Sequence, residues 1–217
     1  MSYRAVLFDM DGTVLDTLED LYRAVNRSLE EFSLPTVNRE RVRAGLGNGA
    51  AHLIDFCVPE DCPEARRQQV LAWYKPWYDA HCRIATRPYP GIVPLMERLR
   101  EKGVKLAIIS NKPDPAVREL AEAFFPGLLE TAVGESERVK RKPDPSAVLT
   151  AAERMGLAVS DCVYVGDSEV DVQTARNAGM DGIFVSWGFR TRQQLIAAGA
   201  DRIADSAQEL EQLLDTE

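Results

Sequence analysis

Short runs of β-forming residues with almost no polar side chain to turn toward water constrain this chain more than any other feature. Tyr3-Arg4-Ala5-Val6-Leu7-Phe8, Val104-Lys105-Leu106-Ala107-Ile108-Ile109, Cys162-Val163-Tyr164-Val165 and Gly182-Ile183-Phe184-Val185 lack the alternation that a half-solvated strand requires. Strands of this kind are covered on both faces, which calls for a parallel sheet with helices on either side. Helical segments separate them. Ile92, Leu95, Met96 and Leu99 keep helical spacing up to Gly103, and Asp114-Pro115 and Asp144-Pro145 each pair an N-cap aspartate with a proline at the first helical position. The second of these helices is expected to end near Gly156, and Arg202-Ile203-Ala204 to form a short last strand before a Ser206/Glu209 capping box.

Between the first strand and the rest, the rhythm is helical throughout. Asp16 and Glu19 can cap a helix that carries Leu18, Leu21, Val25, Leu29 and Phe32 on one face and runs to about Leu34-Pro35. From there to about Arg83 no strand is expected, and Pro76 marks a kink or a helix junction within the aromatic stretch from Val70 to Tyr78. The expected fold is therefore α/β: a doubly wound, Rossmann-like parallel sheet made by residues 1–16 and 83–217, with residues 17–82 inserted as a helical unit. The active site of such a fold lies at the carboxyl ends of the strands.

Charge excludes some functions. Against 34 Asp and Glu stand 26 Lys and Arg, a net charge of -8, so nucleic acid and anionic membranes are not expected as partners. The N-terminal apolar stretch is too short for a signal peptide and no later run could span a bilayer, which points to the cytoplasm. Cys57, Cys62, Cys82 and Cys162 form no CxxC pair and no zinc-like cluster, and read as buried or idle thiols.

Three of the apolar strands end in polar groups: Asp9-Met10-Asp11-Gly12-Thr13, Ser110-Asn111, and Gly166-Asp167-Ser168-Glu169-Val170-Asp171. Carboxylates that converge repel one another, and a hard divalent cation with oxygen ligands relieves the repulsion; magnesium is the natural candidate. It would also draw an anionic phosphate toward an anionic nucleophile. An aspartate is ionised at neutral pH and needs no base before it attacks phosphorus. Asp11, two residues on, is then placed to protonate the leaving oxygen.

These residues resemble the haloacid dehalogenase-like hydrolases and, within them, the phosphoglycolate phosphatase group. Asp9-x-Asp11-Gly12-Thr13-Val14 matches the first motif of that family, Ser110 the second, Lys142-Pro143 the third, and Gly166-Asp167 with Asp171 the fourth. Taken alone, Lys140-Arg141-Lys142 would read as a solvated charge run; its place between the second and fourth motifs reverses that reading. The resemblance implies Asp9 as nucleophile and Asp11 as acid and then base. It implies Ser110 and Lys142, with Thr13 and Asn111 beside them, as the phosphoryl-binding set. Mg2+ would be held by the Asp9 carboxylate, the Asp11 backbone carbonyl and Asp167, with Asp171 in support, and the helical insert would be a small cap.

Gly45-Leu46-Gly47-Asn48-Gly49, Ser110-Asn111-Lys112-Pro113 and Ser186-Trp187-Gly188-Phe189 are also similar to segments of phosphoglycolate phosphatases. Arg43, Gly47, Asn48 and His52 are the insert residues offered to the far end of a small phosphorylated metabolite, although the glycines serve equally as an interhelical turn. An acid at position 11 separates the chain from dehalogenases, and Thr13 favours a phosphatase over a β-phosphoglucomutase-like mutase. A pyrophosphatase of the same superfamily, a receiver-like phosphoacceptor domain and a non-catalytic binding protein are the other readings.

Overall fold

The computed structural model describes residues 3–215. It contains two compact units, one built from the segment up to Leu15 together with the chain from Pro88 onward, the other from Asp16–Arg87. The first strand, β1 (Ala5–Phe8), enters the larger unit, and β2 (Leu15–Asp16) leads out of it. The insert consists of α1 (Leu18–Glu31), α2 (Arg39–Ala44), α3 (Gly49–Cys57) and α4 (Glu64–His81), after which β3 (Arg87–Pro88) pairs with β2. The larger unit continues as α5 (Ile92–Glu101), β4 (Lys105–Pro113), α6 (Asp114–Phe124), β5 (Thr131–Glu135) and α7 (Ser146–Arg154). It ends with β6 (Cys162–Gly166), α8 (Glu169–Ala178), β7 (Asp181–Val185), α9 (Arg192–Ala198), β8 (Ile203–Ala204) and α10 (Ala207–Asp215).

The main sheet has the order β5-β4-β1-β6-β7-β8, and every pairing is parallel. Strands run outward from β1 on one side and then, starting again at β6, on the other. The reversal of order beside β1 is the switch point at which such sheets bind ligands. The apolar runs are buried as their composition requires: Leu7 pairs with Ala107 and Tyr164, and these join Ala5, Ile109, Val148 and Phe184 in one fully packed layer. No helix among the described residues is long and apolar enough to cross a membrane. All four cysteines are free and buried.

Several local expectations change in the structure. β5 was not expected from the sequence; it is an edge strand whose residues are mostly half-covered, so it lacks the continuous apolar signature of its neighbours. Asp114 does not cap α6 but lies inside it, and its carboxylate accepts the Gly134 N–H of β5 at 2.9 Å. Asp144 precedes α7 by a turn and accepts from Ser146 N at 3.0 Å. Glu209 donates its N–H to Ser206 Oγ at 3.1 Å, but its carboxylate takes the N–H of Asp205 instead of closing the box on Ser206. Pro76 does not divide α4, which runs through it; ring pairs Trp73–Trp77 and Tyr74–Tyr78 stack across the turn that lacks its N–H donor.

Within the insert, α1 packs on α4 and α2, and Val25, Leu29, Leu53, Ile54 and Val70 are buried. The unit continues to Arg87 rather than stopping at residue 82, just after α4, because Asp20 of α1 holds the segment that follows. Its carboxylate accepts the N–H groups of Ala85 at 2.9 Å and Thr86 at 2.8 Å, and the Thr86 hydroxyl at 2.9 Å. Asp20 is buried, so Asp20→Ala is expected to leave these donors unpaired and to lower stability by roughly 2–4 kcal/mol. Urea unfolding of the two proteins measures this; an unchanged midpoint would mean that the segment after α4 is held by something else.

Candidate active site

Asp9 stands at the carboxyl end of β1, where its N–H still donates to Val165 O of β6 at 2.8 Å. The chain then turns tightly, with Val14 and Leu15 donating to the Met10 carbonyl at 3.1 and 3.0 Å. Gly12 takes φ +87° in this turn, and a Cβ there would overlap the carboxylate of Asp167, so position 12 excludes any other residue twice over.

Lys142 joins the loops. Its buried ammonium lies 2.8 Å from Asp9 Oδ1 and 2.8 Å from Asp171 Oδ1, and donates to the Tyr164 hydroxyl at 2.9 Å. Burial alone would drive the ammonium toward neutrality, but the Asp171 and Asp9 carboxylates outweigh it and hold Lys142 protonated. Asn111, one of the residues expected at the phosphate, clasps the Lys142 main chain, accepting its N–H at 2.7 Å and donating to its carbonyl at 3.0 Å.

Asp171 is fully engaged in protein contacts. Oδ2 accepts from the amides of Asp167 and Ser168 and from Ser168 Oγ at 3.2, 3.1 and 2.6 Å, while Oδ1 meets Lys142 and Tyr164. Gly166 is required beside it, since a Cβ would overlap Asp171. Asp9, Asp167 and Asp171 each offer an oxygen within 4.8 Å of the others, all three being buried. Five donors on Asp171 leave Asp9 and Asp167 as the carboxylates that can turn to a cation.

Electrostatics fit a cation at this place. Burial raises Asp9, Lys142 draws it back, Asp171 and Asp11 push it up again, and the result is about 7. Burial, then Asp171 and Asp9, raise Asp167 well above the usual carboxylate range. Four carboxylates here face the two ammonium groups of Lys142 and Lys112, a surplus of negative charge that a divalent ion matches. Thr13, expected on the phosphate, is buried with its hydroxyl donating to Asp167 Oδ1 at 3.3 Å.

Ser110 follows Ile109 on β4, next to β1, and its Oγ accepts the Lys112 N–H at 3.2 Å. Lys112 was not among the expected site residues. It is buried, and its ammonium lies 3.1 Å from Asp11 Oδ1, an ion-pair contact without hydrogen-bond alignment. Residues 110 and 112 share one face of a strand, and that periodicity was the available signal. The insert candidates lie along one helix–turn–helix of the smaller unit: Arg43 on α2, Gly47 and Asn48 in the turn, His52 on α3 with its ring 6.1 Å from that of Phe56. Gly47 has φ +108°, as an interhelical turn requires.

Residues 6–185 match the family model of haloacid dehalogenase-like hydrolases, and the chain belongs to that family. A phosphoglycolate phosphatase of Xanthomonas campestris pv. campestris is 33% identical over 86% of this chain and 85% of its own length. An N-acetylmuramic acid 6-phosphate phosphatase of Pseudomonas aeruginosa is 33% identical over 99% of this chain and 96% of its own. Among solved structures, a candidate phosphoglycolate phosphatase from Lactobacillus delbrueckii subsp. bulgaricus superimposes with a TM-score of 0.95 at 40% identity, over 100% of both chains.

Removing the Lys142 ammonium strands two buried carboxylates. Lys142→Met is expected to destabilise the protein by roughly 3–5 kcal/mol, the usual effect of breaking a buried ion pair from one side. Chemical denaturation without added metal checks it, and wild-type stability in the variant would show that Lys142 does not hold the site together.

Proposed function

We propose that the chain is a magnesium-dependent phosphatase that hydrolyses a small phosphate monoester through an aspartyl phosphate on Asp9. The observation that carries this reading is the pairing of two carboxylates, two residues apart, each with its own buried lysine: Asp9 with Lys142 at 2.8 Å and Asp11 with Lys112 at 3.1 Å. The Asp9 carboxylate attacks phosphorus, the bond from phosphorus to the ester oxygen breaks, and Asp11 gives that oxygen a proton. Asp11 then takes a proton from the water that displaces Asp9, releasing phosphate. Lys142 and Ser110 bind phosphoryl oxygens; Asn111 serves by holding Lys142, and Thr13 by holding Asp167.

Mg2+ would be held by Asp9, Asp167 and the Asp11 carbonyl, and would neutralise the phosphoryl oxygens. Asp171 supports the site through Lys142 and the amides of Asp167 and Ser168. In this reading the larger unit is the catalytic core and the helical insert is a cap whose Arg43, Gly47, Asn48 and His52 meet the leaving group. Four free cysteines suit the reducing conditions of the cytoplasm.

Phosphoglycolate is the first substrate to test, because it is named for the X. campestris relative and for the L. delbrueckii structure. A second reading, a sugar 6-phosphate, is favoured by the fuller two-way coverage of the P. aeruginosa relative. The experiment ranks 2-phosphoglycolate, N-acetylmuramic acid 6-phosphate, β-glucose 1-phosphate and pyrophosphate by kcat/KM with Mg2+, and repeats the best with excess chelator. Monoester hydrolysis that chelation abolishes is expected. Failure to turn over any of these esters, or undiminished activity in chelator, would refute the proposal.

Asp11 is tested by the different demands of its two steps. p-Nitrophenolate leaves readily without a proton, whereas an alkoxide does not, and both reactions end in hydrolysis of the same aspartyl phosphate. Asp11→Asn is therefore expected to release p-nitrophenolate in a burst approaching one equivalent per site and then to slow sharply, with hardly any burst from alkyl phosphates. Equal slowing of both substrates, with no trapped phosphoenzyme at saturating Mg2+, would assign the proton to another group.

A further inference from the structure

The segment Trp187-Gly188-Phe189-Arg190 follows β7 and belongs to none of the four motifs, yet it reaches both loops that carry the proposed cation ligands. Trp187 Nε1 donates to the Thr13 carbonyl at 3.1 Å, gripping the turn after Asp9. The Phe189 N–H donates to Asp167 Oδ2 at 2.6 Å. Arg190 then fastens the segment to the first turn of α8 by donating to both carboxylate oxygens of Glu169, at 2.7 and 2.9 Å.

Gly188 explains how the backbone comes so close. A Cβ at this position would overlap Asp167 Oδ2 and the Gly12 carbonyl oxygen together. Its φ is not positive, so glycine is needed here for close approach and not for a left-handed turn. From the opposite side, a Cβ on Gly12 would overlap the same Asp167 oxygen. Oδ2 is thus enclosed by two glycine backbones and an amide donor, and Oδ1, which meets Thr13 Oγ1 at 3.3 Å, is the oxygen left to a cation.

We propose that residues 187–190 form a positioning strap that fixes the rotation of the Asp167 carboxylate and the path of the Gly12-Thr13 turn, so that a divalent cation meets ligands already set in place. The strap rests on the reading of Asp9 and Asp167 as cation ligands. Groups that orient metal ligands affect metal affinity directly, whereas a segment that merely packs affects stability alone.

The test titrates Mn2+ into the full-length protein and reads the free ion by its electron paramagnetic resonance signal, for wild type, Trp187→Phe and Gly188→Ala. Near-UV circular dichroism checks that each variant is folded. Both variants are expected to bind Mn2+ about tenfold more weakly, or worse, while remaining folded. Trp187→Phe keeps an aromatic six-membered ring and removes the pyrrole ring with its Nε1 donor, so it decides the matter if Gly188→Ala fails to fold. A folded Trp187→Phe protein with wild-type Mn2+ affinity would overturn the strap. Wild-type protein that binds no Mn2+ would overturn the ligand reading itself, and the strap with it.

Discussion

The ammonium of Lys142 is the point on which both the fold and the chemistry of this chain depend. A buried charge is tolerated only with partners, and Lys142 has Asp9, Asp171 and Tyr164 within 2.9 Å. These partners come from the end of β1, the first turn of α8 and the middle of β6, while Asn111 of β4 holds the main chain of the same lysine. One residue thereby ties together three neighbouring strands, β4, β1 and β6. The bonds that make those strands pack are also the bonds that shape the site.

Compensation within this cluster is incomplete, as the rise of Asp9 from 3.8 to about 7 records. A carboxyl raised in the folded state contributes stability that is fully present below about pH 4 and is lost as pH climbs through 7. A divalent cation beside Asp9 acts in the opposite direction, because it favours the ionised form. Affinity for a cation and the pH dependence of folding thus arise from one imbalance of charge. Phe189, by donating to Asp167, relieves a further part of it without adding a charge.

What could be read from the sequence divides along physical lines. β1, β4, β6 and β7 were legible because strands buried on both faces are continuously apolar, and the four motifs were legible because each follows such a strand or lies between two of them. β5 escaped because an edge strand mixes covered and uncovered positions. Asn111 and Thr13 could be singled out from the motifs, but a motif does not disclose which partner an amide or hydroxyl chooses when several are close. Asn111 took the main chain of Lys142 and Thr13 took Asp167. The segment Ser186-Trp187-Gly188-Phe189 could be singled out by resemblance, but nothing local discloses the acceptor of Trp187, which is 174 residues away.

Asp9 and Asp11 show how partner geometry, and not residue type, divides the labour in the proposed reaction. Both are aspartates paired with a lysine, but the pairing differs in kind. Lys142 is held by Asp171, Tyr164 and Asn111, so the oxygen of Asp9 that it meets is fixed as a nucleophile's surroundings should be. Lys112 approaches Asp11 as a charge without hydrogen-bond alignment, and Asp11 Oδ1 accepts no hydrogen bond. The Asp11 side chain is also the more open of the two, at 19% exposure against 11% for Asp9. A group that must give up a proton and later take one from water has to be free to carry it without first breaking a bond, and it has to be reachable by that water. Lys112 keeps Asp11 in place by a 3.1 Å charge contact that does not occupy Oδ1 with a hydrogen bond.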